Sequence, residues 1–190
     1  MPTTDTKTAL LNSAEHAART LGFDGFSYAD LAEDVGIRKA SIHHHFPSKA
    51  NLSVALMQRY LATFQETCSK IEADCPTGGA RLTELIERYR VGSDDGKRLC
   101  LCVSFSASRD SLPPDVLDQI SRFRSMIIEW MTETFKLGQS DGSITGTTAP
   151  ALEAAAALSL FEGAQLAARA EENPALFDNA IELLRQRIRA

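Results

Sequence analysis

The densest group of chemistry-bearing side chains in this chain is His43-His44-His45, three consecutive imidazoles set between Arg38, Lys39 and Lys49. A metal site is the first chemistry such a run suggests. On a helix, however, successive side chains point about 100° apart, so adjacent histidines diverge rather than converge on one ion. No CxxC or HExxH spacing completes a site elsewhere, so neither a metal nor any other cofactor is expected. A second candidate is Gly138-Gln139-Ser140-Asp141-Gly142, which matches the G-x-S-x-G nucleophile pattern letter by letter. That chemistry needs a strand before the serine, a helix directly after it and a histidine further along the chain. His16, His43, His44 and His45 all lie upstream, so the segment reads as a polar turn. There is no dinucleotide fingerprint and no phosphate-cradling P-loop. No catalytic residue is assigned, and the chain is not expected to be an enzyme.

The four cysteines leave two readings open. Cys68 and Cys75 are seven residues apart, which places both on one helix face but too far apart along it for a local disulfide. Cys100 and Cys102 stand beside Lys97 and Arg98, where a thiol of lowered pKa could sense oxidants or electrophiles. The other reading is that they are small buried hydrophobes.

The net charge of −5 is the wrong sign for a polyanion binder taken as a whole, but distribution matters more than the sum. Between Val35 and Gln65 there is no Asp or Glu, while Arg38, Lys39, Lys49, Arg59 and the three histidines all fall there. An acidic chain with one acid-free, cation-bearing stretch has a local place for phosphates.

The elements that must position these residues are helices throughout. Apolar residues recur at three- and four-residue spacing over Thr6–Leu21, and Gly22 ends that helix. Ser27 stands as an N-cap, with Asp30 completing an acidic capping box, before a short helix Tyr28–Val35. Gly36 breaks the chain, a second short helix runs over Lys39–His45, and Ser48 caps a long helix Lys49–Asp74 of ~39 Å. Pro76-Thr77-Gly78-Gly79 reads as a linker. Further helices are expected over Ala80–Val91, Lys97–Ser108, Pro114–Leu137, Thr148–Ala170 and Pro174–Arg189. Met1-Pro2-Thr3-Thr4-Asp5 carries no basic patch before an apolar core, and no apolar run reaches the roughly 18 residues of a membrane span. The expectation is a cytoplasmic protein with no membrane association.

Residues 27–46 have the mechanics of a helix-turn-helix. Ala32 leaves room for the second helix to cross, Gly36 takes the tight turn, and Ile37, Ile42 and Phe46 anchor the second helix on the first. Arg38, Lys39, Ala40, Ser41, His43 and His44 are left near the exposed side of a helix short enough for a major groove.

The run Gly22-Phe23-Asp24-Gly25-Phe26-Ser27, then Leu31-Ala32 with Gly36, then Ser41-Ile42, then His45-Phe46-Pro47-Ser48-Lys49 resembles the DNA-binding domain of TetR/AcrR-family regulators in order and spacing. The likeness covers Leu10 to about Ala62; beyond it the chain resembles the family only in length and helical layout. What it implies is an all-α fold: a three-helix helix-turn-helix domain, residues 5–62, joined by a long helix to a ligand-binding and dimerisation domain, residues 63–190. It also implies a homodimer whose recognition helices sit one DNA turn apart, about 34–36 Å, on a palindromic double-stranded operator, with repression relieved by a small-molecule inducer. Ser27 and Lys49 would then position the DNA backbone. Arg38, Lys39, Ala40, Ser41 and His44 would reach the groove. His43 stands where the family commonly has tyrosine, and an imidazole there can donate to phosphate with a charge that responds to pH near 6.5.

The rest of the chain supports two more expectations. The alanine-rich segment Thr148–Ala170, with Leu176, Phe177, Ile181, Leu184 and Ile188, reads as a dimer-forming helix pair or as an ordinary core pair. Tyr60, Phe64, Tyr89, Phe105, Phe123, Trp130 and Phe161 read as the lining of a ligand pocket or as solid core. A regulator that senses through Cys100 or Cys102, an activator in place of a repressor, and a helical ligand-binding protein or enzyme without a DNA role remain the alternatives.

Overall fold

Apolar spacing of three and four residues, punctuated by Gly and Pro, produces helices almost everywhere that pattern occurs. A computed structural model describes residues 5–189; of the amino-terminal reading, Met1-Pro2-Thr3-Thr4 lie outside the described residues. In chain order the helices are α1 (Thr6–Leu21), α2 (Tyr28–Val35), α3 (Lys39–His45), α4 (Lys49–Asp74) and α5 (Gly78–Gly92). They continue with α6 (Leu101–Ser106), α7 (Pro114–Asp141), α8 (Pro150–Ala170) and α9 (Ala175–Arg185), with one 3₁₀ turn at Arg109–Ser111. The only β pairing among the described residues is a single antiparallel bridge between Ile144 and Ile188. The fold is all-α, and no described helix is long and apolar enough to cross a membrane.

Several boundaries differ from the sequence expectation, most for a tertiary reason. Gly78 and Gly79 are not a linker: they open α5, where their N–H groups donate to Asp141 Oδ2 (2.9 Å) and Ser143 Oγ (2.7 Å). Gly138 does not end α7, which continues to Asp141; the missing side chain leaves the space that Ile144 fills. The literal G-x-S-x-G run is therefore the last turn of a helix plus Gly142 at φ +78°, not a free turn. Lys97–Cys100 is not helical, since Asp94, Asp95 and Gly96 all take positive φ and turn the chain back. Finally, α9 stops at Arg185: the chain then pairs with residues 143–145, Arg189 N–H donating to Ser143 O and Thr145 N–H to Arg187 O, both at 2.8 Å.

The chain forms two compact units. The first takes in the described residues up to Ala62 and also Leu101–Arg122. It is built on α1, which buries Leu10, Leu11, Ala14 and Ala18. There α6 lies against α1: Ser104 donates to the carbonyl of Ala18, and the Phe105 ring meets Phe23 edge-on at 5.5 Å. Arg59 on α4 ties the same helix down, bonding Leu11 O and Asn12 Oδ1 (2.8 Å each) and pairing with Glu15 (2.7 Å). The first unit thus joins the stretch that ends at Ala62 to a segment some forty positions later, which covers an apolar flank of α1.

The second unit holds Thr63–Cys100 and the chain from Phe123 onward. Its aromatic rings pack in series: Phe64 on Phe123 (5.2 Å), Phe64 on Tyr89 (6.0 Å) and Tyr89 on Phe161 (4.9 Å). A buried Gln165 on α8 links two backbones, accepting from Cys100 N–H (2.9 Å) and donating to Tyr89 O (3.1 Å). The ion pair of Glu153 with Arg187 (2.7 Å) fastens the carboxy-terminal stretch to α8.

Candidate nucleic-acid interface

The site begins at the α2 cap. Ser27 Oγ accepts from Ala29 and Asp30 N–H while Asp30 Oδ2 accepts from Ser27 N–H at 2.7 Å, a complete capping box. The Ser27 hydroxyl itself donates back to Asp30 at 2.8 Å. These bonds hold the Asp30 carboxyl below the usual carboxylate range, so the box persists until pH falls through that lowered value. Ser27→Ala should therefore cost about 1 kcal/mol of stability, read as a lower urea midpoint with unchanged slope; an unchanged midpoint would show the cap to be redundant.

Gly36 makes the turn to α3 in the left-handed region, φ +72°, and Ile37 N–H returns to Ala32 O at 2.9 Å. A non-glycine residue pays for that conformation. On the inner side of α3, Ile42 and Phe46 are buried and Ile37 is half-buried. Tyr28, the first residue of α2, donates its buried hydroxyl to Phe46 O at 2.9 Å and so pins the far end of α3. Burial pushes that phenol up to about 12. The sequence reading missed this role, although an aromatic directly after an N-cap, facing a buried Phe46, was a usable signal.

The outer side of α3 is what a duplex would meet. Arg38, Lys39, Ala40, His43 and His44 are exposed and Ser41 is half-buried, with no carboxylate in the segment. His43 is also braced: its ring lies 5.0 Å from Tyr28 and its Nδ1 is 3.2 Å from Pro47 O. Lys49, expected to position the DNA backbone, is engaged within the protein. Its half-buried ammonium donates to Phe26 O at 2.6 Å and lies over the rings of Phe26 (4.2 Å) and Phe23 (4.7 Å). Burial lowers its pKa, against the opposing pull of Asp24 and Asp30. Arg59, the other cation of the acid-free stretch, serves α1 as described. The cations at the outer face are thus Arg38 and Lys39, with Lys49 welding the α1–α2 loop to the start of α4.

The remaining expected sites divide between the units. Phe64, Tyr89, Phe123, Trp130 and Phe161 belong to the second, with Trp130 half-buried; Tyr60 and Phe105 belong to the first, where Phe105 packs on Phe23. Cys100 and Cys102 are fully enclosed, on either side of the boundary between the units, and burial pushes the Cys68 thiol up to about 12. Cys75 is half-buried. None of the four forms a disulfide, and no group of His, Cys, Asp and Glu that could hold a metal occurs among the described residues.

Residues 10–56 match the family described as bacterial regulatory proteins, tetR family. Over its whole length the chain is similar to a TetR-family transcriptional regulator from Agrobacterium tumefaciens, with a TM-score of 0.91, 28% identity and 97% of each chain covered. A TetR transcriptional regulator from Legionella pneumophila gives 0.89, 25% and full coverage of both. Among curated proteins, the HTH-type transcriptional repressor NemR of Escherichia coli is 23% identical over 93% of this chain and 90% of its own length. The repressor DhaR of a Mycobacterium species is 25% identical over 80% and 76%. Another similar fold, CifR (TM-score 0.75, 24% identity, 97% and 98% covered), was solved on a 26-bp double-strand operator.

Proposed function

We infer that this chain, a DNA-binding transcriptional regulator of the TetR family, acts as a cytoplasmic homodimeric repressor that releases a palindromic operator when a small molecule binds its second unit. The observation that carries the DNA half is α3 itself: an exposed, acid-free helix face held from behind by Ile42, Phe46 and the Tyr28 hydroxyl. In this reading Arg38, Lys39, Ala40, Ser41 and His44 enter the major groove. Ser27 and Lys49 meet phosphates only by sharing groups they now give to Asp30 and Phe26.

Support for the homodimer comes from α8 and α9. Leu152 and Leu166 on α8 and Leu183 on α9 are large apolar side chains left exposed. On α8, Ala155, Ala156, Ser159 and Gly163 continue the Leu152–Leu166 line at helical spacing. A Cβ at Gly163 would meet nothing within 4 Å, so the chain's own core does not require glycine there. Small residues along an exposed apolar stripe suit a second helix approaching closely. The repressor sign rests on the names of NemR and DhaR. The inducer would take the aromatic region of Phe64, Tyr89, Phe123, Trp130 and Phe161 and act through α4, which contributes residues to both units. It must bind the two spacings of the recognition helices with different affinity.

The test is fluorescence-anisotropy binding to duplexes from the DNA flanking the gene, at two salt concentrations, beside Lys39→Ala. We expect a dimer by sedimentation, affinity that falls steeply with salt, and about tenfold weaker binding for Lys39→Ala, the effect of losing one such contact per subunit. Failure to bind any duplex at low salt would sink the reading.

A further inference from the structure

His43 and His44 are both exposed imidazoles on the outer face of α3, yet the structure gives them different chemistry. His43 Nδ1 lies 3.2 Å from the carbonyl oxygen of Pro47. A carbonyl can only accept, so this bond exists only when Nδ1 carries the hydrogen. A neutral ring has one N–H, and here it is committed inward; Nε2 is left as a bare lone pair. A phosphate oxygen is also an acceptor and cannot bond to it. Adding a proton to Nε2 turns the same atom into a charged donor without moving the ring, which Tyr28 and Pro47 hold in place. For His44, whose ring meets that of His45 at 5.4 Å, no carbonyl among the described residues selects the tautomer, and neutral His44 can offer an N–H outward.

We propose that His43 contacts the operator backbone only when protonated, so that DNA affinity rises as pH falls. The surroundings allow this gain of charge to act on DNA and not within the protein. From α2 the group facing His43 is Tyr28, neutral throughout because burial raises its phenol. Also on α2, Asp30 is bound to Ser27, and Glu33 and Asp34 are exposed to water. From α4, Lys49 is turned to Phe26. On α3, Lys39 stands one turn earlier, and His44 and His45 follow. The inference rests on the DNA-binding, dimeric reading above.

The experiment uses the full chain and a duplex it selects from a random pool, with affinity measured at pH 6 and pH 8 across several salt concentrations. Wild type should bind at least tenfold more tightly at pH 6, as two added charge-assisted bonds per dimer require. Its plot of log K against log salt should steepen by about 1.8, two phosphates at 0.9 each. His43→Gln, whose amide is a neutral donor at both pH values, should flatten both changes; His44→Gln should keep them. A wild type indifferent to pH, or a His43→Gln protein that keeps the full response, would overturn the proposal. Independently of DNA, ¹⁵N spectra of the free wild-type protein at pH 8 should show His43 protonated at Nδ1, and the Nε2–H tautomer would refute it. A pool that yields no duplex at either pH would remove the regulator reading itself, a different failure from a selected duplex bound without pH response.

Discussion

Gly78→Ala is expected to destabilise the protein by about 3 kcal/mol, a large share of the roughly 5–15 kcal/mol that holds a typical domain folded. A Cβ at Gly78 would lie 2.2 Å from Gly138 N, 2.4 Å from Gly138 Cα and 2.6 Å from Thr134 O, all main-chain atoms of α7. No rotamer relieves such a clash; the start of α5 and the end of α7 must separate. In separating they strain the bonds from Gly78 and Gly79 to Asp141 and Ser143. Urea unfolding followed by far-UV dichroism measures the loss. Gly163→Ala is the internal comparison, because its new methyl meets nothing within the chain and removes a helix-interior glycine worth roughly 0.5–1 kcal/mol. The two alanines should shift the midpoint in opposite directions, with Gly163→Ala also weakening self-association if α8 meets a second copy. Equal shifts would show that the α5–α7 approach does not require glycine.

Gln165→Leu should have the second largest effect. Leucine approximates the volume but supplies no acceptor for Cys100 N–H, and a buried amide that loses its partner costs about 1–3 kcal/mol. The other end of the link is buffered, since Tyr89 O also accepts from Ser93 N–H at 3.1 Å. The loss should therefore be local. Cys100 is where the chain leaves the second unit, and Leu101 opens α6, which packs on α1. Hydrogen exchange should quicken first around Cys100 and the start of α6, before any change over α9, with stability reduced by about 2 kcal/mol. Acceleration spread evenly over the chain would mean that Gln165 contributes only to general packing.

What could be read from the sequence, and what could not, follows the range of the forces involved. The Ser27–Asp30 box, the Gly36 turn and the inward set of Ile42 and Phe46 are encoded within a few residues, and all were legible. Arg38, Lys39, Ala40 and His43 fall on the exposed side for the same reason: a period of 3.6 fixes them relative to Ile42. Misreadings arose where a residue answers to a distant partner. Gly78 and Gly138 look like breakers in isolation, yet a Cβ at Gly78 would strike the Gly138 backbone and one at Gly138 would strike the Ile144 side chain. Charge marks Lys49 and Arg59 as cations of the acid-free stretch but does not reveal that Phe26 O and Glu15, both earlier in the chain, engage them. Gln165 gave no signal at all, since a glutamine in an alanine-rich helix carries no mark of the two backbones it joins. The aromatics show the same limit: hydrophobic type says that Phe105 is inside, not which core it enters.

The recruitment of Leu101–Arg122 into the amino-terminal unit also sets how this protein can be taken apart or recombined. A head cut out at residue 62 would keep every residue of the helix-turn-helix and lose the cover over Ala18 and Phe23. Such a fragment should expose apolar surface and bind dye or aggregate. Exchange of heads between relatives meets the same obstacle, because α1 from one parent would face α6 from the other across a contact neither has selected. A transplantable reader of DNA in this chain is therefore two pieces of sequence, and a workable chimera must carry both.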